Sequence, residues 1–255
     1  MVKGLYTAYT GMINEQNRMD IMTNNLANAS TVGYKKEGST SQSFDDVLTV
    51  KIKDQSVGMR NVQRLGVKNP GVKIGENYTD YSQGSFRITG NTYDLALSGE
   101  GFFAIEFTNK AGETDTKYTR AGQFTLNKDG YLVTEEGDYV LDTQNRRIRL
   151  NTLIDSSITD DGTIYQNGRA VAKIQVTDFE DYDYLEKYGE TYYQPIQGAK
   201  TIAAKAQVKS GYLEMANVQI VSEMVNLISI TRAYESNQKV VQTIDDTLDV
   251  AVNQI

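Results

Sequence analysis

The stretch Ile220 to Ile255, IVSEMVNLISITRAYESNQKVVQTIDDTLDVAVNQI, decides the architecture. Ile220, Met224, Leu227, Tyr234, Val241, Leu248, Val252 and Ile255 recur on alternating four- and three-residue steps, with Thr231, Gln238 and Asp245 as polar members of the same series. A repeat averaging about 3.5 residues keeps one helical face turned toward a partner helix, which is the pattern of a coiled-coil seam. Neither Pro nor Gly interrupts the run, and Asn217 stands where a cap would begin it. The spacing predicts a helix over 218–255, a rod roughly 57 Å long. So long a helix is not needed for the core of one compact domain. It is expected to pack against another helix and against copies of itself.

The other end of the chain carries the same rhythm. Leu5, Tyr9, Met12, Met19 and Leu26 keep the four-three spacing, with Gln16 and Thr23 in the intervening slots. The pattern predicts a helix from residue 3 to about 28, roughly 40 Å long. Asn24, Asn25 and Asn28, then Ser30, Thr31 and Gly33, prefer caps and turns to helix interiors and mark its end. The polar members Gln16, Thr23, Thr231 and Gln238 read as register-setting positions in a buried seam, held at some cost in stability.

Between the two helices the composition changes twice. Residues 35–80 are rich in Lys, Ser, Thr, Gln, Gly and Asn, with short apolar pieces such as Val47-Leu48. They read as an extended connector with little core of its own. From 81 to 212, period-two runs alternate with turn dipeptides. Phe86-Arg87-Ile88 precedes Gly90-Asn91, and Phe102 to Phe107 reads as a half-buried strand. Asn167-Gly168, between Thr163-Ile164-Tyr165 and Ala170 to Val176, is a strong two-residue hairpin signal. Such spacing predicts an antiparallel sandwich or barrel. The expected fold class is α+β. Its layout is an N-terminal helix in 1–34, a connector in 35–80, a β-rich domain in 81–212 and a C-terminal helix in 213–255, the helices pairing as a coiled coil.

Composition removes whole classes of function. The 255 residues hold 26 Lys plus Arg against 33 Asp plus Glu, a formal charge of −7, which argues against nucleic acid or an anionic membrane as partner. Without a single His or Cys there is no imidazole base, thiolate nucleophile or His- or Cys-ligated metal. No enzyme activity, cofactor or metal is expected. No apolar run approaches the roughly 18–20 residues that cross a bilayer, and the first twenty residues lack a signal-peptide core.

Two local features invite chemistry. Asp178, Glu180, Asp181, Asp183 and Glu186 could supply a carboxylate pair for glycoside cleavage or a calcium loop. An EF-hand needs Gly at its sixth position, where Asp183 stands if Asp178 is first. A solvated acidic loop flanked by Tyr182 and Tyr184 explains the cluster more simply. Gly99-Glu100-Gly101 opens like a phosphate loop, but a strand follows it where such a loop needs a helix.

Three separated blocks then point the same way. Asn24-Asn25-Leu26-Ala27-Asn28, followed by a short turn, Gly33, Tyr34 and Lys35, resembles the amino-terminal signature of bacterial flagellar axial proteins, the rod and hook family. Asp94-Leu95-Ala96-Leu97-Ser98-Gly99-Glu100-Gly101-Phe102-Phe103 is similar to that family's segment at the entrance of the β domain. Gly211-Tyr212-Leu213-Glu214-Met215-Ala216-Asn217, with Arg232-Ala233-Tyr234-Glu235, is similar to its carboxyl-terminal signature. The match looks closest to the basal-body rod proteins, distal first and proximal next, or a short hook-type subunit. Val32 and Tyr93 depart from the commoner residues at their positions and leave that choice open.

The resemblance implies a structural subunit that polymerises helically with itself and meets adjacent rod and hook subunits. It also implies passage through the flagellar type III export machinery without a cleaved signal, and a place in the extracytoplasmic basal body. The terminal helices would form the inner layer of the tube, packed through Leu5, Tyr9, Met12, Met19, Leu26, Ile220, Met224, Leu227, Tyr234, Val241 and Leu248. Outside the family, the residues also allow a sugar-binding β module that dimerises through its ends, or a glycosidase built on residues 178–186.

Overall fold

A computed structural model describes residues 2–52, 62–109 and 112–253; Ile255, the last member of the expected stripe, lies outside them. The chain forms two compact units.

The first unit comprises residues 1–26, 37–80 and 219–255. It holds α1 (Val2–Ala27), α2 (Ile220–Asn253) and four strands, β1 (Glu37–Ser43), β2 (Val47–Ile52), β3 (Val62–Lys68) and β4 (Val72–Thr79). Strand β1 pairs antiparallel with β4, and β2 with β3. The stretch expected as an extended connector is therefore a pair of two-stranded ladders. In it Gly38 and Gly71 are buried, whereas Val47, Leu48 and Val67 are exposed. Two-stranded ladders with no buried apolar face are marginal alone, so neighbouring elements must support them. Part of that support is polar and comes from α1. The Thr7 hydroxyl donates to Pro70 O at 3.4 Å, and the Asn14 amide donates to Ser41 Oγ at 3.0 Å.

The second unit comprises residues 27–36 and 81–218. In chain order its strands are β5 (Phe86–Ile88), β6 (Leu95–Ser98), β7 (Phe102–Thr108), β8 (Thr114–Thr119), β9 (Phe124–Leu126), β10 (Leu132–Thr134), β11 (Tyr139–Val140) and β12 (Ser156–Ile158). There follow β13 (Thr163–Gln166), β14 (Arg169–Lys173), β15 (Val176–Phe179), β16 (Leu185–Tyr188), β17 (Tyr192–Pro195), β18 (Thr201–Ala203), β19 (Gln207–Ser210) and β20 (Tyr212–Glu214). A nine-stranded sheet runs β16-β17-β8-β7-β11-β10-β9, with β15 pairing both β7 and β18. Three small sheets surround it: β12-β13-β14, β19-β6 and β20-β5. Every described pairing is antiparallel.

Strand β7 organises this unit. Phe103 joins Leu95, Leu97, Phe124, Leu132 and Ile148 in one cluster, while Phe102 and Ala104 join Tyr118, Phe179 and Tyr193 in another. The first half of β7 is thus covered on both faces, not half-buried as the alternation suggested. The signal was present, because an unbroken Phe-Phe-Ala-Ile run is what a strand buried on both sides needs. The expected hairpin stands at Asn167-Gly168, with φ of 50° and 72° between paired Gln166 and Arg169. Two successive positive φ values are those of a type I′ turn, whose twist matches the flanking strands.

Candidate functional site

The two helices lie side by side in the first unit. A side-chain carbon added at Gly11 would sit 2.9 Å from Asn237 Nδ2, and one added at Gly4 would sit 3.6 Å from Ile244 Cδ1. As α1 advances by seven residues α2 retreats by seven, so the helices run antiparallel at this contact. Gly4, Ala8 and Gly11 form a small-residue row on α1, with Ala8 buried, and Gly4 and Gly11 leave room for the Ile244 and Asn237 side chains of α2.

On α2 the inward stripe is Glu223, Leu227, Ile230, Tyr234, Asn237, Val241, Ile244 and Leu248, all buried or half-buried. It keeps the four-three spacing. It shares Leu227, Tyr234, Val241 and Leu248 with the expected stripe, but its other members fall one residue earlier. Within the chain, Ile220 and Met224 are exposed, as are Gln238, Asp245 and Val252. On α1, Tyr9 is exposed and Leu5, Met12, Met19 and Leu26 are half-buried. The expected register-setting residues hold no seam inside the chain. The Thr23 hydroxyl bonds back to Met19 O and the Thr231 hydroxyl to Leu227 O, both at 2.8 Å, and Gln16 faces solvent.

Two apolar patches are left outside, toward opposite ends of the antiparallel pair. Val221, Met224, Val225 and Ile228 are exposed on the first turns of α2, and Tyr6, Tyr9 and Ile13 on α1. Contiguous exposed apolar residues on a helix mark a surface made to be covered. Arg232 and Glu235 are also exposed on α2.

The motif residues lie where the chain enters and leaves its β-rich unit. Asn25 is buried in the first unit and brackets Glu37: its amide donates to Glu37 O at 2.7 Å and its oxygen accepts from Glu37 N at 2.9 Å. Asn24 is an exposed helical residue. Asn28 accepts from Thr31 through both its backbone and side-chain oxygens, closing the turn after α1. Gly33 has φ of 71°, and a side-chain carbon there would lie 2.3 Å from Ala121 N. Tyr34 is buried with the Lys187 ammonium 4.3 Å from its ring centre.

Further along, the Gly211 N–H donates to Asp94 O at 2.8 Å. Gly99 and Gly101 both have positive φ, and Phe102 and Phe103 fill the two cores. Asn217 does not cap α2, which begins three residues later. Its oxygen accepts from Lys36 N at 2.8 Å and its amide donates to Ser82 Oγ at 3.0 Å, so it joins the two ends of the chain instead.

Three members of the acidic cluster, Asp178, Glu180 and Asp181, have structural work. Asp178 is buried and not solvated; it accepts from Phe179 N at 2.9 Å and from the Tyr182 hydroxyl at 2.8 Å. Burial, reinforced by that bond to Asp178, pushes the Tyr182 hydroxyl well above the ordinary tyrosine range. Glu180 pairs with Lys200 at 3.3 Å, and Asp181 caps the short turn Tyr182–Tyr184.

Sequence reasoning passed over a second polar cluster, at Tyr192. Its hydroxyl meets Glu136 Oε2 and lies 2.9 Å from Asp138 Oδ2. Burial, then the Glu136 contact, keeps this phenol protonated far above its usual range. Glu136 and Asp138 share the turn between β10 and β11, but Tyr192 comes from β17, 56 and 54 residues away, and no spacing announces the meeting. Elsewhere the hydrogen bond from Arg147 outweighs burial and holds the Glu106 carboxyl below the usual carboxylate range. Among the described residues no group of three or more acidic side chains could hold a metal, and no helix is long and apolar enough to cross a membrane.

A pair of long antiparallel helices with exposed apolar patches, in one chain with a β-rich unit, is the layout of a protein that packs against others. Comparison with known proteins gives that class its family. Residues 5–35 match the flagella basal body rod protein model, 96–166 the flagellar hook protein FlgE/F/G D1 domain, and 209–255 the flagellar basal body rod FlgEFG protein C-terminal model. The chain is 34% identical to flagellar basal-body rod protein FlgG of Bacillus subtilis, covering 99% of each chain. It is 31% identical to flagellar hook-basal body complex protein FlhO of the same organism, over 100% of this chain and 99% of the relative. To flagellar basal-body rod protein FlgF of Caulobacter vibrioides it is 32% identical, over 98% and 96%. The chain belongs to the flagellar basal-body rod protein family. It is a structural and not an enzymatic subunit, placed in the basal-body rod with other rod and hook subunits.

Proposed function

We propose that this chain polymerises helically with itself to build the distal rod, α1 and α2 pairing as a coiled coil in the tube's inner layer. Residues 1–34 and 213–255 form that layer, and strands β1 to β4 belong to the same unit as the helices. The observation that carries this reading is the pair of exposed apolar patches on the helices, Val221, Met224, Val225 and Ile228 on α2 and Tyr6, Tyr9 and Ile13 on α1. A repeated contact between such faces that does not close on itself generates a filament. Within each chain the four-three stripe from Glu223 to Leu248 supports coiled-coil pairing. Ile220, Met224 and Tyr9, expected as packing residues and exposed in the single chain, then serve between subunits.

Distal placement rests on the full-length similarity to the FlgG proteins; the similarity to a FlgF protein keeps the proximal rod as the second reading. Delivery through the flagellar type III export machinery to an extracytoplasmic site follows from the same reading.

Met224→Asp tests it. The exposed side chain leaves the fold of each unit untouched, so the circular dichroism spectrum stays that of the parent. A charge at a covered subunit contact stops growth, so the variant should sediment as a monomer where the parent pellets as filaments, and motility should be lost. Normal filaments from this variant would refute the helix-face contact. Immunolabelling of isolated basal bodies decides between the ends of the rod: label next to the hook supports distal placement, and label next to the inner membrane refutes it.

A further inference from the structure

Three charged side chains meet in the interior of the second unit. Lys35 Nζ lies 2.7 Å from Glu214 Oε1, and Arg120 Nη1 lies 3.3 Å from Glu214 Oε2; their exposures are 1%, 3% and 0% for Lys35, Arg120 and Glu214. Glu214 Oε1 also accepts from Gly84 N at 3.0 Å, and its backbone oxygen accepts from Gly33 N at 2.8 Å. Lys35 donates further to Ser82 O at 2.7 Å. One residue on, Met215 forms a bridge with Val32 and donates from its N–H to Ser85 O at 2.9 Å. Three separate pieces of chain, at Lys35, Gly84 and Arg120, converge on one carboxylate.

Physical chemistry makes the partners in this convergence depend on one another. A carboxylate without exposure is tolerated only when cations and N–H donors replace its water, and removing one partner of a buried ion pair costs far more than the pair gains. Lys35 supplies the shorter of the two ion pairs to Glu214 and sits on the segment just after α1. Arg120 alone, at 3.3 Å, offers the carboxylate a weaker hold. We propose that Glu214 is a docking latch: the C-terminal root, residues 212–216, seats in the β-rich unit only once residues 33–35 are already in place. The chain's later end thereby checks that its earlier end is home.

Backbone amide exchange of the full chain reads the latch directly. In Lys35→Met the buried carboxylate loses its nearer cation. Exchange across 212–216 should accelerate on the order of a hundredfold while residues 102–108 of β7 stay protected. In Lys35→Met/Glu214→Gln, made in an Arg120→Met background so that no buried charge is left without a partner, protection of 212–216 should return to within about tenfold of the parent. Unchanged protection in Lys35→Met overturns the latch, as does a triple variant that exchanges as fast as the single one. Where Lys35→Met also exposes β7, the triple variant decides: recovery of both segments supports the latch, and failure to recover overturns it.

Discussion

Gly33 and Gly168 share a backbone conformation, with φ of 71° and 72°, but not a neighbourhood. A carbon added at Gly168 meets nothing within 4 Å, whereas one added at Gly33 would lie 2.3 Å from Ala121 N and 2.5 Å from Arg120 C. Both neighbours are backbone, and both are held: Ala121 N donates to Thr119 Oγ1 at 3.0 Å, and Arg120 is paired with Glu214. Gly168→Ala should therefore cost only the left-handed penalty, about 1–2 kcal/mol. Gly33→Ala adds the displacement of a packed turn, about 1–3 kcal/mol more, for a total of about 2–5 kcal/mol. With a urea slope of roughly 2 kcal/mol per molar, the midpoint should fall by about 1–2.5 M for Gly33→Ala and by under about 1 M for Gly168→Ala. Tyrosine fluorescence reports the transition, since the chain has 17 Tyr and no Trp. Equal midpoint losses at equal slopes would refute the claim that close backbone approach, and not φ alone, demands glycine at position 33.

Three further outcomes are expected. Phe103→Ala removes a fully buried ring that stands edge-on to Phe124 at 5.2 Å and should cost about 3–5 kcal/mol in urea unfolding, against less than about 2 kcal/mol for half-buried Phe107→Ala. The Glu106 carboxyl is held below its ordinary value of 4.5, so its pairing with Arg147 stabilises the fold fully above that pH and is lost as pH falls through the lower folded value. Between about pH 5 and 3 the parent should thus lose stability faster than Glu106→Gln, and parallel curves would contradict the pairing. Asn25→Ala removes both bonds to the Glu37 backbone and should cost about 2 kcal/mol, read as faster amide exchange at Glu37.

The sequence showed the helices, the β-rich centre and the turn at Asn167-Gly168 because each is written in local periodicity or turn chemistry. Half of the α2 stripe escaped it for a definite reason. The series through Met224 and Thr231 and the series through Glu223 and Ile230 are both evenly spaced and share Leu227, Tyr234, Val241 and Leu248. Period alone does not choose between them. What chooses is the row Gly4, Ala8 and Gly11 on α1, whose residues are too small to register as hydrophobic while their bulkier neighbours Leu5, Tyr9 and Met12 drew the eye. The Lys35–Glu214–Arg120 group lay further out of reach. Its partners are 179 and 94 residues apart, and charged residues in a sequence read first as surface.

The meeting of the two chain ends has a mechanical consequence. Tension applied through α1 and α2 enters the β-rich unit at residues 32–33 and 214–215, which are bonded directly to each other. The load path is therefore short: force crosses from one end to the other at that clamp, and the nine-stranded sheet hangs beside the path as an unloaded loop. Such a subunit carries force between its two ends through a few residues of paired backbone and leaves its largest sheet unstrained. Pulling single molecules by their termini should show the clamp yielding before the sheet lengthens, and a first rupture inside β7 or β8 would contradict it.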